Sequence, residues 1–564
     1  MHTPDSSPRK SLYYDYQVHP FVTPAEIRGE SKTHPVVIVG AGPVGLAMAL
    51  DMARYDIPVV LLESAVQVSE GSRAIVFTYR SMEILQQVGV AERMVEKLLP
   101  WNAGNSFYRG EVVFRMEAPL DDNSRYAPMN NLQQQYLEEY LVDKVLQNPL
   151  IDLRWGSKVV DIPLNEESVS LTVDTPEGEY QLDAEWVVAA DGAQSKVRNL
   201  TGLRMEGDSF EGRFVIADIE IEIDLPTERL AFFDPDWNPG NTVLMHREPG
   251  NIWRIDYQLP KDETPEQALQ EDLLNSRIQA QLDMVGVKST WELDWCSVYS
   301  ARAMTLQDYV HKRIVFAGDA AHMLPIFGVR GANTGWQDGH NLIWKLAAVV
   351  KDWGGQALLD TYSEERVTSA WEIIDEASKS TRFMTPPTAG YKLLRDATLS
   401  LSLSQPFVRP LFHWRTSRPH HYIDSALNSF EVNIGPGDKG ICTGSPVSNV
   451  KLGSDNYLLD HMHASFYLFH FSKDGQVAKP LIDIKDKIQK RGIPFDILSI
   501  TSASSSTAGA IHIHDPDDKC AEVYASGQIS YYLVRPDQHV CARWQQVGAS
   551  GLEQAIMLAV GLNM

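Results

Sequence analysis

Two stretches of the chain alternate apolar runs of strand length with a helical pattern. Residues 36–39 and 59–62 are apolar without interruption, and residues 46–53 between them place apolar side chains at the period of a helix. A third strand is predicted at residues 313–316, where three apolar residues follow Arg313, and it leads into a glycine-bearing loop and a helix that opens near Asn333. Strand–helix–strand order of this kind predicts an α/β unit with parallel strands.

The middle and the end of the chain follow other patterns. Residues 214–219 and 253–258 alternate apolar and polar side chains, which predicts half-buried strands of a sheet. Residues 410–450 are rich in Pro, Ser, His and Gly, which indicates a linker. Short strands and helices resume after it, for example at residues 466–469 and 531–534. The sequence thus predicts a combination of α/β and α+β architecture.

This pattern divides the chain into six predicted segments. They are an N-terminal extension (1–33), the first part of a nucleotide-binding domain (34–209), a sheet domain (210–300), the second part of the nucleotide-binding domain with long helices (301–409), the linker (410–450) and a C-terminal domain (451–564). The sheet domain therefore interrupts the nucleotide-binding domain in sequence.

The first apolar run ends in a glycine fingerprint. Gly40, Gly42 and Gly45 have the spacing Gly-x-Gly-x-x-Gly, with Pro43 in the same turn. The first glycine permits the tight turn, the second lets a pyrophosphate approach the backbone, and the third lets helix and strand pack closely. Glu63, about 20 residues on, ends the next strand and can accept hydrogen bonds from a ribose hydroxyl. The fingerprint predicts a dinucleotide site without distinguishing FAD from NAD.

Four further stretches of the sequence distinguish an FAD site from an NAD site. These are 71–74 with Arg73, 134–141 with Gln134, 189–198 with Asp191, and 316–346 with Gly318-Asp319 and Gly331-Ala332-Asn333. In this order and spacing they resemble the FAD-contacting segments of the single-component FAD-dependent aromatic hydroxylases, a family that includes the p-hydroxybenzoate and phenol hydroxylases. The resemblance implies a Rossmann-like FAD-binding domain interleaved with a β-sheet substrate domain. It is strong over roughly residues 35–370 and nearest to the phenol and 3-(3-hydroxyphenyl)propionate hydroxylases.

The resemblance also assigns roles to these residues. Arg73 and Gln134 would contact FAD, and the backbone of Val159 would lie against adenine. Asp191 would take part in binding both FAD and the nicotinamide cofactor. Asp319, which follows Gly318, would accept hydrogen bonds from the ribityl chain. Gly331, Ala332 and Asn333 would present backbone N–H groups to the pyrimidine edge of the flavin, where negative charge develops on reduction.

Four residues are candidates for substrate chemistry. The family often has glycine-glutamine-glycine where this chain has Val329-Arg330-Gly331. A cation at Arg330 would favour anionic flavin or attract an anionic phenol, and a surface salt bridge is the equal alternative. Arg254 matches a strand arginine near the flavin, and Asp256 replaces the usual tyrosine. Asp256 would take the phenol proton, although a structural ion pair with Arg254 is the favoured reading, and His246 is a second candidate base.

The end of the chain resembles the thioredoxin-like domain that terminates phenol hydroxylases. Cys296, Cys442, Cys520 and Cys541 form no Cys-x-x-Cys pair, so disulfide exchange is not expected and packing or dimer contact is the predicted role. The same spacing excludes a zinc knuckle, and we expect no metal site. Few, scattered cysteines fit a reducing cytoplasm.

Composition removes several other classes of function. A formal net charge of −24 makes nucleic acid an improbable partner, because phosphate binding needs a basic face. No apolar run approaches the roughly 18 residues that cross a bilayer, so no membrane association is expected. Residues 1–10 are polar and lack the apolar core of a signal peptide. We expect a cytoplasmic homodimer.

Taken with these limits, the resemblance implies an FAD-dependent monooxygenase. It would use NADH or NADPH and dioxygen to hydroxylate a small phenolic substrate through a flavin C4a-hydroperoxide. A tailoring oxygenase acting on a larger natural-product aromatic is the alternative. A flavin halogenase would need a Trp-x-Trp-x-Ile-Pro stretch and a disulfide reductase would need a redox dithiol, and the sequence has neither. A flavin-binding protein without activity stays possible on sequence alone.

Overall fold

The computed structural model describes most of the chain. The described residues are 1–163, 168–325, 327–412, 418–429, 440–504 and 507–562. The predicted linker therefore lies partly outside them, at residues 413–417 and 430–439.

The first sheet is the parallel sheet that the apolar runs predict. The elements before residue 201 are the strands β1 (Thr33–Val39), β2 (Val59–Leu62), β3 (Val76–Thr78), β4 (Leu99–Trp101), β5 (Ala103–Tyr108), β6 (Glu111–Glu117), β7 (Met129–Asn131), β8 (Ile151–Arg154), β9 (Lys158–Asp161), β10 (Val169–Thr175) and β11 (Gly178–Ala189), and the helices α1 (Pro43–Ala53), α2 (Tyr79–Gln87), α3 (Ala91–Val95), α4 (Gln134–Leu146) and α5 (Lys196–Leu200). β1 lies between β11 and β2 and is parallel to both, with Ile38 opposite Val188 and Leu61. The side chains of β1 and β2 are almost all buried, which explains their unbroken apolar sequence.

The second sheet is built largely from the alternating segment. That segment contains β12 (Glu206–Glu220), β13 (Arg229–Phe233), β14 (Thr242–Glu248), β15 (Ile252–Gln258), α6 (Pro265–Ala268), α7 (Glu271–Met284) and β16 (Glu292–Thr305). The sheet also includes β5 and β6 at one edge and a short strand, β19 (His322–Met323), at the other. One face packs apolar side chains with α7, and the opposite face carries the polar residues described below.

The chain then returns to the first sheet and continues into long helices. These elements are β17 (Val310–His311), β18 (Ile314–Phe316), β19 (His322–Met323), α8 (Gly331–Val350), α9 (Ala357–Met384) and α10 (Ala389–Ser402). β18 pairs parallel with β11. α8 begins two residues before the predicted start and packs against α1, so Gly335 and Gly339 lie against Val44 and Met48.

The C-terminal part has its own sheet and core. Its elements are β20 (Lys451–Gly453), β21 (Asn456–Tyr457), β22 (Phe466–Phe471), α11 (Lys479–Gln489), β23 (Phe495–Thr501), β24 (Ile511–His514), α12 (Lys519–Val523), β25 (Tyr531–Val534), β26 (Val540–Trp544) and α13 (Ala549–Ala559). The strand order is β24-β23-β22-β25-β26, with β22 parallel to β23 and antiparallel to β25.

A buried ionic network joins this C-terminal part to α8 and α9. The Glu365 carboxylate accepts two hydrogen bonds from Arg535, at 2.7 and 3.0 Å, and one each from Lys345 and Asn341, at 2.8 and 2.6 Å. Arg535 also pairs with Asp537. Burial alone would raise the pKa of Glu365, but Arg535 and Lys345 hold it well below its ordinary value. The C-terminal part is therefore fixed to the helix whose start faces the cofactor site.

The N-terminal segment, residues 1–24, lies across the outside of the loop that follows β2. His19 donates its backbone N–H to the Val66 carbonyl at 2.7 Å, and its ring stacks on Trp155 with centroids 4.5 Å apart. The Tyr16 hydroxyl accepts a hydrogen bond from Gly71 N–H at 3.0 Å. Asp294 of β16 accepts hydrogen bonds from the arginine, serine and backbone groups of residues 9–12. The segment thus ties the loop 64–72 to the second sheet.

Replacing Asp294 by alanine should release this segment. The Asp294 carboxylate is fully buried and is the partner of the Arg9 guanidinium, so its loss leaves that cation without its counter-ion. We expect faster proteolysis within residues 1–24 and a several-fold weaker affinity for flavin, because the loop that the segment supports carries Arg73. Limited proteolysis with mass analysis and flavin titration measure both. Glu292→Ala, on an exposed position of the same strand, is the control, and equal behaviour of the two variants contradicts the prediction.

Two features are not found among the described residues. No helix there is both long and apolar enough to cross a membrane. No three His, Cys, Asp or Glu side chains there come together in a way that could hold a metal ion.

Candidate functional site

The glycine fingerprint forms the turn between β1 and α1. Gly40 has φ +103°, and a Cβ there would lie 2.5 Å from the Ala190 carbonyl oxygen. A Cβ on Gly45 would lie 1.9 Å from the Gly40 carbonyl oxygen. Gly42, by contrast, has open space in front of it and begins α1 without a side-chain cap. The turn therefore presents an uncapped helix start to open space, which is the arrangement that binds a phosphate.

Glu63 ends β2 beside this turn. Its carboxylate accepts hydrogen bonds from Ala41 N–H at 2.8 Å, Ala65 N–H at 2.9 Å and the neighbouring Ser64 hydroxyl at 3.2 Å. A carboxylate has about four acceptor positions, so Glu63 braces the glycine turn and retains capacity for a ribose hydroxyl.

The fold brings the other motif residues to the same cleft. The Asp191 carboxylate accepts hydrogen bonds from the Ser195 hydroxyl and from Val197 N–H, at 2.6 and 3.0 Å, and so holds the start of α5. Arg198 donates from there to the carbonyl of Ala320 at 2.9 Å. Gly318 follows β18 and packs against Val44 of α1.

Asp319 lies on the wall of this cleft. Its side chain is exposed to solvent, yet the surrounding protein is dense enough to raise its pKa, an effect that His322 and Arg73 oppose. A carboxylate that is accessible and also enclosed is typical of a deep cleft. Arg73, which is exposed, therefore faces the same space as Asp319.

The loop that presents Arg73 is held from both sides. Gln134 accepts a hydrogen bond from Ala74 N–H at 2.9 Å and donates to Glu138 at 2.7 Å, and Glu138 in turn accepts from Ser69 N–H at 2.6 Å. From the second sheet, Arg254 donates to the carbonyl oxygens of residues 72 and 73. Gln134 therefore supports the loop, and a direct contact between Gln134 and cofactor stays a prediction.

The start of α8 is fixed by its own side chains. Asn333 donates to the carbonyls of Val76 and Val329, at 2.9 and 2.8 Å, and accepts from Ser81 and from Thr78 N–H. Gly331 and Ala332 are half-buried and lie at the uncapped helix start. All three residues lie in the first turn of α8, and contact of their N–H groups with the flavin stays a prediction.

Val329 precedes this helix in a strained conformation. Its φ is +55°, in the left-handed region that disfavours β-branched side chains. The family often has glycine at this position, so valine keeps a backbone shape that suits glycine. Such strain costs of order 1–3 kcal/mol and is common at functional sites. The neighbouring Arg330 is buried, at 5% exposure, which argues against the predicted alternative of a surface salt bridge.

One supporting network was not predicted from the sequence. Asp338 accepts hydrogen bonds from His322 at 2.6 Å, from Arg366 at 2.6 Å and from Gly318 N–H at 3.0 Å. All the side chains involved are fully buried. The network fixes the loop that carries Asp319. The only sequence signal for it was the polar character of these positions within an otherwise apolar region.

The flavin-side face of the second sheet corrects one expectation. Arg254 forms no ion pair with Asp256 among the described contacts; it forms a bidentate pair with Asp218, at 2.7 and 2.8 Å. Asp218 lies directly opposite Arg254 in the β12–β15 register. Directly opposite side chains are about 5 Å apart at Cβ, whereas residues two apart along one strand are about 6.6 Å apart.

Asp256 is instead next to His246. The His246 Nε2 lies 3.9 Å from an Asp256 carboxylate oxygen, and both residues are buried. Among the described residues, the second Asp256 oxygen (Oδ1) and His246 Nδ1 have no hydrogen-bond partner. Burial raises the pKa of Asp256 to about 7. Burial, with Arg229 and Arg254, holds the pKa of His246 well below its ordinary value. Near neutral pH, Asp256 can therefore gain or lose a proton, whereas His246 stays neutral.

Aromatic side chains close the region beside this pair. Phe214 stacks on Tyr299 with centroids 5.7 Å apart, and Phe327, from the loop before α8, meets it edge-on at 5.5 Å. These rings place apolar surface beside the polar pair, since Tyr299 also interacts electrostatically with Asp256.

These residues fit FAD. The pyrophosphate suits the uncapped start of α1, where there is open space at Gly42, and the ribose suits Glu63 at the end of β2. The flavin ring, which becomes an anion, suits the uncapped start of α8. Val159 lies in β9 with its side chain buried and its backbone paired to β10, so its contact with adenine stays a prediction.

Comparison with known proteins agrees with this geometry. The FAD binding domain family matches residues 33–377. The 3-(3-hydroxy-phenyl)propionate/3-hydroxycinnamic acid hydroxylase of Shigella sonnei (strain Ss046) is 26% identical over 538 residues, 93% of each chain. The protein of the same description from Burkholderia cenocepacia (strain HI2424) is 26% identical over 531 residues, 92% of this chain and 95% of the relative.

Two solved structures share the fold over almost the whole chain. The flavin-dependent monooxygenase PieE, in complex with FAD and substrate, has a TM-score of 0.77 at 21% identity and covers 94% of this chain and 98% of its own. Aklavinone-11 hydroxylase, in a ternary complex with FAD and aklavinone, has a TM-score of 0.74 at 22% identity and covers 94% and 99%.

The chain belongs to the FAD binding domain family. Within it, the chain is a single-component FAD-dependent monooxygenase of the aromatic hydroxylase class, with FAD as cofactor and NAD(P)H as co-substrate. The predicted family, cofactor and enzyme class are therefore confirmed.

Proposed function

We propose that this enzyme hydroxylates a phenol whose hydroxyl group is bound by Asp256 and His246. The observation that carries the proposal is the buried pair itself: an Asp256 oxygen and His246 Nδ1 have no described partner. Buried polar groups without partners are costly in a folded protein. A phenolic hydroxyl placed between them would satisfy both.

The residues of this chain would prepare the substrate for oxygen transfer. Asp256, as a carboxylate, accepts the phenol proton and makes the ring a stronger nucleophile. His246 stays neutral and orients the hydroxyl, while Phe214 and Tyr299 exclude water from the ring. Bound FAD, reduced by NADH or NADPH, supplies the activation of dioxygen. Arg330, at the start of α8, favours negative charge on the flavin or the substrate.

The pH dependence of turnover tests the role of Asp256. Because burial raises the pKa of Asp256 to about 7, the carboxylate is the minor form at pH 6 and the major form at pH 8. We expect kcat/KM to rise about tenfold between those values, since only the deprotonated acid accepts a proton. Asp256→Asn should lower kcat at least a hundredfold and remove the rise. Glu263→Gln, on the same domain, is the control, and an unchanged pH profile in Asp256→Asn contradicts the role.

Activity itself is tested with a panel of phenols. NADH and NADPH consumption by the FAD-loaded enzyme is followed with simple phenols, hydroxybenzoates, hydroxyphenylpropionates and polycyclic phenols, and product masses are recorded. Faster oxidation with a product one oxygen heavier supports hydroxylation and ranks the substrates. Stimulation by polycyclic phenols alone favours the alternative of a tailoring oxygenase. No stimulation by any phenol contradicts the proposal.

We further propose the predicted domain division, with a thioredoxin-like C-terminal domain. The order β23-β22-β25-β26, with α11 after β22 and α13 after β26, supports this assignment. Cys520 and Cys541 are buried, and burial raises the pKa of Cys541 to about 12. We therefore propose no thiol chemistry for the C-terminal domain. The four unpaired cysteines fit a cytoplasmic enzyme.

We also propose that the enzyme is a homodimer. The exposed side chains of Leu393 and Phe407 are candidate contacts between the two subunits, and the molar mass measured by light scattering tests the proposal.

A further inference from the structure

The outer side of α10 and the segment after it carry an exposed apolar patch. Large apolar side chains that are open to solvent follow one another within residues 393–411, and they are Leu393, Leu394, Leu401, Leu403, Phe407 and Leu411. Leu393 and Phe407 are 72% and 76% exposed. Single exposed apolar side chains are common on any protein, but a cluster of them indicates an interaction surface.

The patch lies on a firmly packed support. α10 buries one side, which consists of Arg395, Thr398, Leu399 and Ser402, and the helical period places Leu393 and Leu401 on the opposite side. The 3₁₀ helix Pro406–Phe412 packs against α10 and buries Val408 and Phe412, so Phe407 and Leu411 are left outward. Leu399 and Phe412 join the same apolar cluster as Phe214. The patch therefore covers the outside of the helices that pack against the substrate region.

The chain around the patch has the opposite charge to the rest of the protein. Residues 377–423 contain seven Lys or Arg residues and one acidic residue, Asp396, whereas the whole chain contains 50 and 74. Arg395 is buried and Lys392 pairs with Asp396, but Arg409 and Arg418 are exposed. Charges interact over only about 8 Å at physiological salt. A surface that approaches the patch therefore meets these arginines and not the distant acidic residues.

An anionic lipid surface fits both features of this region. The boundary of its hydrocarbon accepts Leu and Phe side chains, and its headgroups attract arginines. A second copy of the chain fits less well, because a symmetric contact through the patch would bring the arginines of the two copies together. Peripheral binding of this kind needs an apolar face and no spanning helix.

We infer that the apolar patch and its flanking arginines dock the enzyme peripherally on an anionic lipid surface. This inference does not rest on the proposed function. It replaces the expectation of no membrane association, which considered only segments that span a bilayer. It also gives Leu393 and Phe407 a different partner from the proposed dimer contact, and the experiment separates the two.

Co-sedimentation of the FAD-loaded enzyme with vesicles at physiological salt tests the inference. The vesicles consist of phosphatidylcholine alone or of equal parts of phosphatidylcholine and phosphatidylserine. We expect at least about tenfold tighter binding to the mixed vesicles, since each cation near an anionic surface strengthens binding several-fold. Leu393→Gln combined with Phe407→Gln should weaken that binding at least about tenfold, because two large apolar side chains are no longer buried. Arg409→Gln combined with Arg418→Gln should remove the preference for the mixed vesicles.

Two exposed positions elsewhere supply matched controls. Leu120→Gln changes an apolar side chain that is 70% exposed, and Lys288→Gln changes an exposed cation after α7. Neither should alter binding to either kind of vesicle. The molar mass of each protein without vesicles is measured by light scattering, and its FAD content and thermal midpoint show that the fold is intact.

Three results would overturn the inference, and none of them touches hydroxylation. The first is an unaltered enzyme that does not bind the mixed vesicles. The second is equal binding by the patch variants and the controls, which would place the lipid contact elsewhere. The third is a molar mass that falls by half in the apolar variant while vesicle binding is unchanged, which would assign the patch to a second copy of the chain.

Discussion

Gly45→Ala is expected to abolish tight FAD binding. A Cβ at this position would lie 1.9 Å from the Gly40 carbonyl oxygen, a backbone atom that cannot move without opening the turn between β1 and α1. Overpacking of this kind costs at least about 1–3 kcal/mol, and the displaced turn is the one that faces the pyrophosphate. The purified protein should be colourless, with the dissociation constant for FAD raised at least a hundredfold in a fluorescence titration.

Two matched substitutions show whether FAD binding is lost because the turn is displaced or because a side chain blocks the cofactor. Gly42→Ala meets no protein atom within 4 Å, so it should leave the thermal midpoint of the FAD-free protein unchanged and still weaken FAD binding about tenfold. Gly548→Ala makes the same change at the start of α13, also in open space, and should alter neither property. Full FAD affinity in Gly45→Ala would show that the cofactor does not approach this turn.

Glu365→Gln is expected to cause the largest loss of stability. Glu365 accepts hydrogen bonds from two buried cations, Arg535 and Lys345. The variant removes the carboxylate that they share and leaves Asp537 as the remaining partner of Arg535. Breaking a buried pair in this way costs about 3–5 kcal/mol. The urea midpoint, followed by far-UV circular dichroism, should fall clearly in Glu365→Gln and remain unchanged in the control Glu364→Gln, whose side chain is exposed.

The pH dependence gives a second test of the same bridge. Because the pKa of Glu365 is held below its ordinary value of 4.5, the carboxylate stabilises the fold above that pH and less so as the pH falls through the lowered value. The difference between Glu365→Gln and the unaltered protein should therefore be full at pH 7 and smaller at pH 3. A constant difference would show that the lost stability comes from packing and not from charge.

The parts of the structure that the sequence predicted depend on neighbours close along the chain. The turn at Gly40–Gly45 is specified within six consecutive residues, because Gly40 has φ +103° and Gly45 has no room for a Cβ. The apolar runs of β1 and β2 report burial on both faces of a sheet. The start of α8 was predicted to within two residues for the same reason.

The parts that it did not predict depend on distant partners. Arg254 was expected to pair with Asp256, two residues away, but the partner is Asp218, which the β12–β15 register places directly opposite. The contribution of β5 and β6 to the second sheet joins residues more than a hundred positions apart. Arg229 has no local signal at all, because an arginine at a strand start is usually exposed, and only the sheet places it beside His246.

The contact between residues 9–12 and Asp294 has a consequence for biosynthesis. A ribosome adds about 5–20 residues per second, so these two parts of the chain leave it roughly 15–60 seconds apart. Throughout that interval the N-terminal segment has no β16 to bind, and the loop that carries Arg73 is fastened on one side only. Because Gly318, Asp319 and the start of α8 follow β16 along the chain, the N-terminal segment can bind Asp294 before the cofactor site is complete.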